Sequence, residues 1–527
     1  MRAALVKPLS AAAVKSLIAD GGELALVDLR EELIFSQNHL LWARSIPLSR
    51  IELKFARLVP RKSTRIVLID DGDGLVERAA KILGDAGYSS IACLAGGVAG
   101  WAGAGFELFS GVNVPSKAFG EFVEHTSGTP SIAAAELETL MRADTDMIVL
   151  DSRPFDEFRR ISIPTATNVP GAELVLRVHD LAPSRATLVV VNCAGRTRSI
   201  IGAQSLINAG VPNKVVALRN GTMGWHLAGF TCDSGKAVRA PSPSREGLAW
   251  AKAATDRVMR RFGIERIDGT TLERWRNDET RTLYLFDVRD PAEYSAGHVA
   301  GAISAPGGQL VQATDQYAGT LGARIVLADN AEVRAIMTAS WLKQMGWADV
   351  FVLAATGTET GQPPSPILGS PPTDLRIDRD ALSDLVRNDG ATIVDLSLSP
   401  NYRKAHIPGA WFAIRSRLAH ALPKIPLRGT LVLTSEDGAL AGLAAGEARA
   451  LTAQPVRWLR GGNAAWQAAG HPVSSEPLMA DEAIDVWLKP YEREGDTAGA
   501  MNEYLSWEID LIARIERDGT CNFLHSK

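Results

Sequence analysis

The 527-residue chain repeats one unit four times, and that repetition constrains its fold more than any other feature. Each copy opens with a short helical pattern and a turn, then a β-rich run ending in an aspartate: Asp28, Asp151, Asp287 and Asp395. Two residues later stand Arg30, Arg153 and Arg289, with Ser397 in the fourth copy. A second apolar strand follows at 65–69, 188–191, 324–328 and 430–433, then a helix-like stretch and another short strand. Three copies close on a glycine turn with a tryptophan: Gly97 with Trp101, Gly221 with Trp225, and Gly462 with Trp466. The third copy replaces this turn with Ala354, Ala355, Thr356 and Gly357. Short apolar strands alternating with helices predict an α/β fold of four tandem domains, each a parallel sheet flanked by helices. Ligands of such sheets sit beyond the carboxyl ends of the strands.

The second copy carries chemistry at such an end. Cys193, Ala194, Gly195, Arg196, Thr197, Arg198 and Ser199 follow the valine run 189–191 directly and open a helical stretch. The N–H groups of a strand-to-helix loop converge on one point and favour negative charge there. A cysteine after valines is ordinarily a small buried hydrophobe, but packing needs no arginines and no loop-to-helix switch. The loop therefore predicts a nucleophilic thiolate at Cys193 with an anion held beside it. The matching loops hold Asp70 or Asp71, Asp329 or Asn330, and Ser435 or Glu436. None is a thiol, so those copies are expected to be silent in cysteine chemistry.

Each unit resembles a rhodanese domain, and residues 8–475 resemble a multi-domain rhodanese-type sulfurtransferase. The marks are the Asp-x-Arg strand end, the cysteine loop, the glycine turn with tryptophan, Glu293 to Ala302 in the third copy and His406 to Ala410 in the fourth. The resemblance implies that Cys193 takes sulfane sulfur from an anionic donor such as thiosulfate as a persulfide. It then yields the sulfur to cyanide or a thiol. Arg196 and Arg198 would hold the donor's oxygens. Gly195 would let the loop turn tightly, with Ala194, Thr197 and Ser199 completing the cradle; Ser199 also suits a plain helix N-cap. Asp151 and Arg153 read either as second-tier site residues or as an ion pair closing the domain. Two other readings stay open: a non-catalytic sulfur carrier or scaffold, and a small-oxyanion phosphatase or arsenate reductase. A phosphatase loop places its arginine one residue later than Arg198.

Domains are expected at 1–112, 129–235, 266–360 and 374–475, with a linker helix in 236–265 and a helical tail in 476–527. Helical spacing runs over 245–261, 481–489 and 498–518, and the last segment bears an apolar stripe suited to docking. The net charge is −4, no basic block suggests nucleic acid, and no apolar run is long enough for a membrane span. Four scattered cysteines, Cys93, Cys193, Cys232 and Cys521, form no zinc or disulfide rhythm. Lys7 and Pro8 interrupt the N-terminal apolar run, so a signal peptide is not expected. A cytoplasmic protein with no cofactor and no metal is expected, acting on a small-molecule sulfur donor. Cys521 offers a candidate relay thiol.

Overall fold

The computed structural model describes residues 6–355 and 357–524. Thr356, within the divergent turn of the third copy, lies outside them. The four repeats form four parallel sheets of identical connectivity: in each, the strands lie in the order first, fifth, fourth, second, third. The fourth sheet gains a sixth strand, Leu478–Met479, beside Trp411–Phe412. Valine and isoleucine runs make these strands because both sheet faces are covered by helices. Val189, Val190 and Val191 are fully buried.

The second and fourth strands of each sheet are neighbours, which sets each aspartate beside the residue that precedes Cys193 or its equivalent. Asp151 registers with Asn192, Asp287 with Ala328, and Asp395 with Thr434. One sheet end of each copy thus brings its aspartate and its strand-to-helix loop together.

The repeats associate out of sequence order. One compact unit contains Ala25–Val112 and Pro364–Trp487, the first and fourth copies. Within it, Arg415 makes a buried bidentate pair with Glu52 at 2.6 and 2.7 Å. The other unit contains Asn113–Pro363 and the tail from Leu488, so it joins the second and third copies. There the Trp341 indole donates to Ser205 at 2.8 Å.

Four segments lie outside the repeated unit. The helix Arg245–Arg261 forms as its spacing predicts, and Ala251, Ala254 and Val258 enter the core shared by the second and third copies. The tail helix forms over Thr497–Asp518. The expected helix over 481–489 does not form. The Asp481 and Asp485 carboxylates instead accept from the backbone N–H groups of Ile414 and Ser399, which pins this segment in an irregular, bent course ahead of Pro490. A connector helix that the repeat pattern left unassigned, Val114–Ser127, precedes the second copy.

Candidate active site

The strand Leu188–Asn192 ends at Cys193, and the helix Thr197–Asn208 begins four residues later. The tight loop between them is held from behind by the glycine turn. Thr222 N–H donates to the Cys193 carbonyl at 2.8 Å, and Met223 N–H donates to the Ala194 carbonyl at 2.9 Å. Gly221 has φ +53°, and a Cβ there would lie 2.4 Å from the Cys193 oxygen. Only glycine allows the two segments to cross this closely. The Thr222 hydroxyl also bonds Cys193 O at 3.0 Å and accepts from Asn192, whose amide in turn donates to Asp151.

Asp151 and Arg153 close on each other. The Arg153 guanidinium donates to both carboxylate oxygens at 2.9 and 2.7 Å and caps the Ile161 carbonyl at 2.7 Å, with both side chains buried. The same closed pair occurs as Asp28–Arg30 and Asp287–Arg289 in copies whose equivalent loop has no thiol. Its presence there fits a pair that builds the strand end.

Cys193 is 2% exposed. Its sulfur lies 3.5 Å from the Ser199 hydroxyl, which donates to the Arg196 carbonyl at 2.8 Å. Ser199 sits inside the first helical turn and is not the N-cap; Arg196 holds that position without a side-chain cap.

The two arginines diverge. Arg196 turns to the connector helix, donating to the two Glu121 oxygens at 2.8 and 2.7 Å and pairing also with Glu124. Arg198 stays near the thiol but donates to Glu157 at 2.8 Å and to Gln309 of the third copy at 3.1 Å. Burial opposes its charge, yet Glu157 and Cys193 hold its guanidinium above the ordinary value. Burial likewise opposes ionisation of Glu157, but Arg198, Lys489 and Arg153 bring it down to about 2. Gly195 is needed for space more than for its backbone angle: a Cβ there would lie 2.8 Å from Met223 Cε and 3.3 Å from Glu508 Oε2.

The equivalent loops resolve the register. Asp70 O accepts from Val98 N–H and Ser435 O from Asn463 N–H, as Cys193 O does from Thr222 N–H. Asp329 follows the strand Arg324–Ala328 just as Cys193 follows Leu188–Asn192. Each substitute folds inward. Asp70 Oδ2 accepts from Val76 N–H at 3.1 Å, Asp329 Oδ2 from Arg334 N–H at 2.9 Å, and Ser435 Oγ from Ala441 N–H at 3.3 Å. In two copies an internal carboxylate occupies the helix N-terminus that would otherwise face an anionic ligand.

The rhodanese-like domain family matches residues 10–104, 133–228, 270–355 and 378–469. The chain belongs to the rhodanese-like family. The crystal structure of thiosulfate sulfurtransferase from Pseudomonas aeruginosa superposes with a TM-score of 0.96 at 46% identity, covering 99% of this chain and 100% of that one. The HTH-type transcriptional regulator Rv0324 of Mycobacterium tuberculosis is 32% identical over 112 residues, 21% of this chain. The match spans about half of that curated relative, 49% of its length. The BH2092 protein from Bacillus halodurans is 19% identical over 21% of this chain and 80% of its own, with a TM-score of 0.19.

Around the rhodanese-like loop the structure adds residues that sequence motifs did not reveal. The connector helix supplies Lys117, Glu121 and Glu124, and packs its Gly120 against Thr197. The tail crosses the mouth of the loop: Met501 and Leu505 cluster with Met223, while Lys489 reaches Glu157 at 3.3 Å. Glu508, 1% exposed, accepts from Lys117 at 2.9 Å, Tyr504 at 3.0 Å and Thr197 at 3.4 Å. Burial, then the Glu508 charge, pushes the Tyr504 phenol well up. One signal was legible: Glu508 falls on the buried stripe of the tail helix, with Met501, Leu505, Leu511 and Ile515. A carboxylate on such a stripe marks a polar partner beneath it. Burial pushes the Cys521 thiol far up, which disfavours a thiolate relay there. Among the described residues no helix is long and apolar enough to cross a membrane.

Proposed function

We propose that the chain is a rhodanese-type sulfurtransferase in which Cys193 carries the sulfur. The observation that carries this reading is a cysteine at a strand end opening a helix, in the one loop of four that a self-supplied aspartate or serine does not fill. In the first half-reaction the Cys193 thiolate attacks the sulfane sulfur of the donor, and the donor's S–S bond breaks. With thiosulfate, sulfite departs with the bonding electrons and Cys193 keeps a persulfide. In the second, cyanide or a thiolate attacks the outer sulfur, and the Cys193 thiolate is released. Loop N–H groups at the helix N-terminus stabilise the anionic sulfur in both steps. Arg198 is a cation on which the Cys193 charge acts, whereas Arg196 serves the loop's attachment to the connector helix. The Asp151–Arg153 pair supports the strand end, and the other three copies act as scaffold. The setting expected for such a thiol is the cytoplasm, where it stays reduced.

Intact mass after incubation with thiosulfate tests the reading. The expected result is a gain of one sulfur atom, reversed by cyanide and absent from Cys193→Ala. Sulfur uptake by Cys193→Ala would move the site to another thiol and refute it.

A further inference from the structure

The charges around the Cys193 loop cancel. Arg196 is met by Glu121 and Glu124, Arg198 by Glu157, Lys489 by Glu157, and Lys117 by Glu508. Among the described residues of the loop, both arginines are already paired with carboxylates and neither is left uncommitted for the two negative charges of thiosulfate. The tail adds a sharper constraint. Glu508 Oε1 gathers the contacts from Lys117, Tyr504 and Thr197, while Glu508 Oε2 is buried without a hydrogen-bond partner. That oxygen faces the catalytic loop, 3.3 Å from where a Gly195 Cβ would stand. A buried carboxylate oxygen demands a donor. Thiosulfate is acceptor-only and anionic, so it supplies none and is repelled.

Building on the Cys193 persulfide reading, we propose that Glu508 is a specificity-determining residue that selects a protonated thiol persulfide, R–S–SH, over thiosulfate as the sulfur donor. The S–H group donates to Glu508 Oε2. The Cys193 thiolate attacks that outer sulfur, the R–S–SH disulfur bond breaks, and R–S⁻ leaves with the electron pair. The hydrogen stays on the transferred sulfur as Cys193–S–SH, so atoms and charge balance. The carboxylate also disfavours ionisation of the donor, which keeps its outer sulfur electrophilic toward a thiolate.

The test compares kcat/KM for glutathione persulfide and for thiosulfate, both with cyanide as acceptor and thiocyanate as the readout. In a ping-pong scheme each value reports the donor half-reaction alone. The wild-type protein is expected to favour the persulfide by about tenfold or more, the scale of one charge-assisted hydrogen bond. Glu508→Gln removes the charge and is expected to raise thiosulfate use and lower the preference by about tenfold. Glu508→Asp withdraws the carboxylate while keeping its charge, so it is expected to lose persulfide turnover without gaining thiosulfate turnover. A wild-type preference for thiosulfate, or an unchanged donor ratio in Glu508→Gln, overturns the proposal. Cys193→Ala separates the two levels: turnover of either donor without Cys193 refutes the persulfide reading itself, whereas a Cys193-dependent but Glu508-independent ratio refutes only this inference.

Discussion

Replacing Arg196 with methionine is expected to damage folding far more than chemistry. Its guanidinium holds both oxygens of Glu121 at 2.8 and 2.7 Å, with the side chains only 8% and 4% exposed. Removing one partner of such a pair strands a buried charge, a loss of about 3–5 kcal/mol. In urea that lowers the unfolding midpoint of the unit containing the second copy by about 1 M or more. Arg196→Met/Glu121→Met removes both charges and is expected to recover most of the loss, because apolar replacements of a buried pair are often neutral. The deficit of the single variant also depends on pH. Burial already holds the Glu121 carboxyl above its usual value of 4.5 while Arg196 pulls the other way, and without Arg196 it rises further. A carboxyl raised in the folded state contributes stability that is full below its unfolded pKa and is lost as pH rises through the folded one. Arg196→Met is therefore expected to be closer to wild type at pH 5 than at pH 8. The double variant should keep the thiosulfate KM within about threefold, an effect under 1 kcal/mol. A single variant as stable as wild type would refute the structural assignment. So would a stable double variant with KM raised tenfold, since Arg196 would then reach the donor.

Two further outcomes follow from buried groups. Glu31, which accepts from Ser49 and Ser416 at 3.0 and 2.9 Å, is raised by burial from 4.5 to about 7. Its contribution is full below about 4.5 and lost as pH rises through about 7. Glu31→Gln is thus expected to add roughly 3 kcal/mol at pH 8 and almost nothing at pH 4.5; parallel stability–pH curves for the two proteins would contradict this. Gly195→Ala must push aside Met223 and Glu508. It is expected to speed alkylation of Cys193 by iodoacetamide several-fold, and an unchanged rate would show that the tail does not shield the thiol.

The fourfold α/β architecture, the parallel sheets and the position of Cys193 were legible in the sequence because they follow from local order. Valine runs, glycine turns and strand-to-helix loops impose geometry on their immediate neighbours, and four repetitions of one pattern leave little ambiguity. The register of the degraded loops needed the backbone bonds to Asp70 and Ser435, since one residue either way looks alike in a string. Which groups Arg196 and Arg198 pair with was decided only in three dimensions. Their partners include residues 121, 124, 157, 220 and 309, and a guanidinium takes whichever acceptor oxygen lies close, whatever its distance along the chain. The connector helix was missed because it belongs to no repeat, and the 481–489 segment was misread because distant N–H groups outweigh its helical spacing. The pairing of the second copy with the third, and the arrival of Glu508 over the Cys193 loop, likewise came from apolar faces finding one another on folding. Sequence order does not encode that choice; burial of complementary surfaces does.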